Sequence, residues 1–139
     1  MVTKTTSTRS KARKRALDIL FEAELRDADP LATLGERAED ATPPVRDFTR
    51  ELVEGVTAHA SEIDRRIIAA LTPGWTLPRM PRVDRNAIRI AVYEIDHTPI
   101  ADAVAVSEAV RLVAELSTDE SPAFVNGVLG TVVASKTAA

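Results

Sequence analysis

The 139-residue chain contains no cysteine, and with cysteine go disulfide frameworks, thiol nucleophiles and cysteine-based zinc sites. Histidine is almost as scarce. His59 and His97 are the only two, far apart in sequence, and neither stands beside a Ser, Asp or Glu arrangement whose spacing marks a catalytic triad or a metal site. The five glycines, Gly35, Gly55, Gly74, Gly127 and Gly130, never gather into a phosphate-cradling loop. No apolar run approaches the roughly 18 residues of a membrane-spanning helix, and no apolar core follows the basic N-terminus as in a secretory signal. These absences lead to the expectation of a cytoplasmic protein that is not an enzyme and has no cofactor, no metal and no membrane partner.

What remains is a globular composition, 45% apolar and 28% charged, with a strong asymmetry of charge. Lys4, Arg9, Lys11, Arg13, Lys14 and Arg15 all precede the first acid, Asp18. Taking those six from the 18 basic residues leaves 12 against 21 acids, an excess of nine negative charges on the rest of the chain. An acidic body with a basic arm is a statement about partners. Cations at a helix start oppose the macrodipole, so something other than helix stability favours them there.

Residues 1–8, polar and without periodicity, read as a disordered tail ahead of one domain, 9–139. A helix is expected from Ser10, with Leu17, Leu20, Phe21 and Leu25 as its stripe. Four capping residues followed by proline, Asp29-Pro30, Thr42-Pro43, Thr98-Pro99 and Ser121-Pro122, each predict a helix start. Val45, Phe48, Leu52, Val56, Ile63, Ile67 and Leu71 form a long stripe that should break at Gly55 or within residues 58–61. Trp75 should pack across a helix end. Val83-Asp84-Arg85-Asn86-Ala87-Ile88-Arg89-Ile90-Ala91-Val92-Tyr93-Glu94-Ile95 is apolar on every side after its first turn, which predicts a surrounded helix. Val106, Ala109, Val110, Val113 and Leu116 mark another, residues 117–120 offer a capping box, and Phe124, Val128, Leu129 and Val132 mark the last. The class is all-α, with about seven helices.

Lys11, Lys14 and Arg15 share one helical face, and Arg9 and Arg13 another, which suits phosphate contacts; a solubilising tail is the plainer reading. Gly127 and Gly130 sit three apart in the last helix, where close packing of another helix would explain them. Phe124 and Asn126 either face a base or belong to the core. Asp84, in the first turn of the surrounded helix, is explained by the macrodipole alone.

Three stretches are specific enough to name a resemblance: residues 83–95 as quoted, residues 100–110 ending in Ser107-Glu108-Ala109-Val110, and Phe124-Val125-Asn126-Gly127-Val128-Leu129. Together with the basic arm running into Ala16-Leu17-Asp18-Ile19-Leu20-Phe21, they resemble the NusB family of transcription antitermination factors. The resemblance implies two small helical bundles packed around the buried central helix. It also implies recognition of boxA RNA together with the ribosomal protein NusE during ribosomal RNA transcription, in a complex with elongating RNA polymerase. Carried over by position, RNA contacts would fall on Arg9, Lys11 and Arg13 in the arm and on Phe124 with its neighbour Asn126 in the last helix, and the NusE-facing surface would include Phe21 and Asp84; Lys14 and Arg15 join the RNA-binding candidates as members of the basic cluster. Ser10 departs from the pattern by interrupting the basic run. Two other readings stand beside this one. The same fold serves as the RNA-binding domain of a ribosomal RNA cytosine methyltransferase, although such an enzyme needs a cofactor loop and a nucleophilic cysteine. A homodimeric interaction protein, basic arm against acidic body, is the other.

Overall fold

The computed structural model describes residues 7–40 and 44–136. Secondary structure among them is helical throughout: α1 (Thr8–Leu25), α2 (Pro30–Asp40), α3 (Asp47–Ala58), α4 (Ala60–Ala70), a 3₁₀ turn (Leu77–Arg79), α5 (Arg82–His97), α6 (Asp102–Leu116) and α7 (Ser121–Ala134). The expected all-α class with seven helices stands. Helices α1, α2 and α3 pack on one another, α4, α6 and α7 form the second group, and α5 is shared by both.

α5 is the surrounded helix. Asp84 to Ile95 are buried with the sole exception of Arg89, and Ile88, Ile90, Val92 and Ile95 are almost wholly enclosed. Around it lie Leu17 and Ile19 of α1, Leu52 and Val53 of α3, Ile63 and Ile67 of α4, Val113 of α6 and Leu129 and Val132 of α7, one continuous core. Removing that much apolar surface from water, at about 25 cal/mol per Å², is the main favourable contribution to folding.

Polar side chains then fix how the helices meet. Arg66 of α4 donates to both oxygens of Asp96 at 2.8 and 3.1 Å and to the Val132 carbonyl at 2.9 Å, joining α4, α5 and α7. Glu24 of α1 receives Arg85 and, at 3.0 Å, Arg89, with Arg82 at 3.5 Å. Three arginines at i, i+3 and i+7 on α5 thus converge on one carboxylate. Burial works to raise the Glu24 pKa, but the hydrogen bonds and charges of Arg85 and Arg89 outweigh it and hold the carboxyl below its ordinary value.

Several helix ends differ from the sequence reading. α1 starts two residues before Ser10, because Ser7 caps it by accepting from the Ser10 N–H at 3.0 Å. Of the predicted tail, residues 1–6 lie outside the described residues, as does the Thr42-Pro43 start. Asp29 does cap α2, accepting from Leu31 N–H at 3.0 Å. Thr98 instead closes α5, its hydroxyl donating to the Glu94 carbonyl at 2.6 Å, and α6 begins only at Asp102. Residues 117–120 form no capping box: Ser117 ends α6, and the side chain of Glu120 caps nothing. The long stripe breaks at His59, within the predicted window but not at Gly55, which lies inside α3.

The glycines invert the expectation. A Cβ on Gly127 or Gly130 would meet nothing within 4 Å, so no close helix approach requires them. A Cβ on Gly55 would fall 2.2 Å from Cε1 of Tyr93, so this glycine is the one that makes room for a ring.

Candidate nucleic-acid interface

From Arg9 to Arg15 the basic arm forms about the first two turns of α1, which packs on α3 and α5 and is ion-paired to α6, while Lys4 lies outside the described residues. Its cations have different fates. Arg9 and Lys11 are exposed and Arg15 is half-buried. Arg9 places its guanidinium 4.6 Å from the centre of the Phe48 ring, a cation–π contact that orients it without neutralising it. Lys14 pairs with Glu115 of α6 at 2.7 Å, and both side chains stay near the surface. The hydrogen bond and charge of Glu115 raise the Lys14 pKa, and the same contact lowers that of Glu115.

Arg13 corrects the sequence reading. It is buried, 3% exposed, and its Nε donates to both oxygens of Glu94 at 3.1 and 2.9 Å, while Nη1 donates to Glu108 at 2.9 Å. Burial alone would lower the Arg13 pKa, but the hydrogen bonds and charges of Glu94 and then Glu108 outweigh it and raise it above the ordinary value. All its donors toward these carboxylates point inward, so it is not placed to reach a phosphate. Ser10, the interruption in the basic run, is buried beside it and donates its hydroxyl to Glu108. A cavity of about 220 Å³ opens between α1 and α6 here, lined by Lys11, Lys14 and Arg111 but also by Glu108 and Glu115.

Phe124 and Asn126 do not share a site. Two residues apart on a helix of 3.6 per turn, they leave α7 on opposite flanks. Phe124 is half-buried against the end of α4 near Ala70 and Thr72. Asn126 is exposed and faces α6 across Val106 and Val110. Nor does Phe124 adjoin the arm. Arg13 meets α5 at Glu94, whereas Ser121, one turn before Phe124, meets it at Asp84. Ten residues of α5 are about 15 Å of axial distance, so only an extended ligand could touch both.

Beside Phe124 stands a residue that the sequence reading placed only as packing. The Trp75 ring lies 4.9 Å from that of Phe124, tilted by 42°, and is 43% exposed, with the Arg79 guanidinium 5.9 Å from its centre. Trp75 does pack across a helix end, and it also presents an aromatic face to solvent. Only its adjacency to prolines and an arginine in the longest irregular connection hinted at this.

The residues assigned to a protein partner lie apart from the arm. Phe21 is half-buried on α1. Asp84 is only 2% exposed, and its Oδ2 accepts from the Ser121 hydroxyl at 2.9 Å. Its carboxylate is turned into the junction of α5 and α7, because the start of α7 supplies the donor, and it offers no surface charge. His59 and His97, separate in sequence, are stacked with ring centres 3.8 Å apart. No local spacing could have paired a helix junction with a helix end.

A family model described as the NusB family matches residues 10–134. This chain belongs to the NusB family. It is 56% identical over 129 residues to transcription antitermination protein NusB of Acidothermus cellulolyticus, covering 92% of this chain and 88% of that one. With the NusB of a Nocardioides species it shares 50% identity over 131 residues, covering 94% and 96%. Among solved structures, NusB of T. maritima superposes with a TM-score of 0.81 at 30% identity, covering 94% of each chain. A crystal structure of antitermination factors NusB and NusE in complex with double-stranded RNA gives 0.81 at 27% identity, covering 92% of this chain and 97% of that one. The NusB match includes Lys11 to Arg15, all of α5 and Phe124, so it spans both ends of the candidate interface. No helix among the described residues is long and apolar enough to cross a membrane.

Proposed function

We propose that this chain is a cytoplasmic, non-catalytic RNA-binding factor of transcription antitermination, which recognises boxA RNA together with NusE during ribosomal RNA transcription and enters the elongating RNA polymerase complex. The observation that carries the reading is the likeness, along nearly the whole chain, to a NusB solved with NusE and RNA. The geometry supports an extended RNA path. Arg9, Lys11, Lys14 and Arg15 hold phosphates at the start of α1, and Trp75 with the free part of Phe124 offers ring faces about three turns of α5 away. Arg13 serves this surface indirectly, by fixing α1 on α5 and α6.

The test is titration of boxA RNA and a scrambled control into the chain, with and without NusE, while light scattering follows mass. Preference for boxA that strengthens with NusE supports the proposal. Equal binding of both RNAs, or none, removes it, and a doubled mass that falls on adding RNA would show a homodimer hiding the arm.

A further inference from the structure

The two histidines meet at a point that the RNA reading does not use. His59 is the single residue between α3 and α4, with φ −108° and ψ 21°, and His97 is the last residue of α5. Their rings lie 3.8 Å apart and 17° from parallel. Both face Glu62 in the first turn of α4: its Oε2 stands 3.6 Å from His59 Nδ1 and 3.5 Å from His97 Nε2. These distances are long for N–H···O hydrogen bonds, which centre near about 2.9–3.0 Å. They match the separation of two ligands on one tetrahedral ion, about 3.3–3.4 Å when each bond is about 2.0–2.1 Å. The three donor atoms lie within 4.8 Å of one another.

Behind the pair is the ring of Tyr93, buried against Gly55, 5.8 Å from the His97 ring and 6.2 Å from that of His59. In front, Glu62 is 58% exposed, which leaves a side open to water. As the rings stand, stacked and nearly parallel, their in-plane lone pairs do not meet at one point, so binding an ion requires one partly exposed imidazole to rotate out of the stack. We propose that His59, Glu62 and His97 form a binding site for one divalent transition-metal ion of the zinc class, with water completing the coordination. Two imidazole nitrogens and one carboxylate suit Zn²⁺, Co²⁺ or Ni²⁺, whereas Mg²⁺ and Ca²⁺ require oxygen ligands. Such an ion would tie the α3–α4 junction to the end of the central helix. The donors converge only in the folded chain, so binding would stabilise it.

The experiment uses the full chain without a histidine tag, stripped of metal. Cobalt titration followed by visible absorption, with zinc in competition, should show one equivalent bound. Zinc at about a hundredfold excess over its dissociation constant should raise the melting temperature by roughly 5–10 °C, and magnesium should not. His59→Asn and His97→Asn should each weaken binding by at least the roughly 10–100-fold that loss of an outer-shell partner costs. A measurement on the unaltered chain guards against misfolded variants: the imidazole C–H resonances of both histidines should move together at one equivalent of zinc. Absence of cobalt and zinc binding overturns the proposal, as does movement of only one histidine or unaltered affinity in a folded His97→Asn variant.

Discussion

Arg13 of α1 and Glu94 of α5, 3% and 1% exposed, form a bidentate pair inside the protein. A cation that reads in sequence as one of a surface cluster is therefore the polar bolt between the first helix and the central one. Its neighbours Arg9 and Lys11 remain outside. One short segment thus divides between holding the fold and facing a ligand.

Truncating Arg13 to alanine leaves Glu94 charged and buried without its partner, a change that costs about 3–5 kcal/mol. Arg9→Ala with Lys11→Ala should stay within about 0.5–1 kcal/mol, the larger figure including the interaction of Arg9 with Phe48. The pair of surface variants should instead flatten the salt dependence of RNA binding by about 0.7 in log–log slope for each phosphate that is no longer neutralised. Urea melts and RNA titrations at several salt concentrations check both; a stable Arg13→Ala protein would contradict the first.

Glu24 gives a pH dependence with a definite sign. Its carboxyl is held below the ordinary value in the folded chain, so it binds a proton less readily there than when unfolded. The stability it contributes is complete above the unfolded value of about 4.3 and is lost as pH falls through the lower folded one. Glu24→Gln should cost about 2–3 kcal/mol at pH 7, less than a fully buried pair because Glu24 keeps partial exposure. The gap between variant and wild type should narrow below about pH 4, as chemical denaturation at pH 7, 5 and 3 would show.

Periodicity made the fold legible, because α5 is apolar around its circumference and α1, α3, α4, α6 and α7 each bring apolar residues against it, while α2 packs outside on α1 and α3. The site was legible only in part. The basic run could be counted, but which cation turns inward depends on Glu94 and Glu108, far along the chain. Asp84 likewise looked like a surface acid until Ser121 was brought to it. Trp75 and the histidine pair owe their settings to packing between helix ends, and no helical period encodes that.

The glycines separate packing from propensity. Gly127→Ala and Gly130→Ala, each exposed with open space at Cβ, should stabilise the chain by about 0.5–1 kcal/mol apiece. Gly55→Ala drives a methyl into the Tyr93 ring and should destabilise it by about 1–3 kcal/mol. Thermal melts of the three variants decide this, and equal shifts would mean that Tyr93 moves aside freely.

Trp75 and Phe124 divide stacking from packing. Trp75→Ala removes an exposed face and should cost about 1–3 kcal/mol of RNA binding if a base stacks there, with little change in melting. Phe124→Ala, half-buried, should lower both, its folding cost falling below the roughly 3–5 kcal/mol of a fully enclosed ring. RNA titration beside a melt of each variant distinguishes the two; wild-type RNA affinity in both would remove this cluster from the RNA path.

Asp84 tests whether an acid inside the junction of two helices can act on a partner at all. Its Oδ2 accepts from Ser121, and Oδ1, buried, has no hydrogen-bond partner among the described residues. The macrodipole at the start of α5 favours an acid there by about 0.3–1 kcal/mol. Asp84→Asn retains an oxygen for the Ser121 hydroxyl but loses the charge and puts an amide N–H₂ where no acceptor is supplied. Leaving a buried donor unsatisfied costs about 1–3 kcal/mol, so the variant should melt distinctly lower than wild type. A side chain that offers no surface charge has nothing to pair with across an interface, and the affinity for NusE, measured below the variant's melting temperature, should be unchanged. Calorimetric titration of NusE into the folded variant, beside its melting curve, reads both quantities. A weakened complex with a normal melt would mean that Asp84 turns outward when the partner arrives.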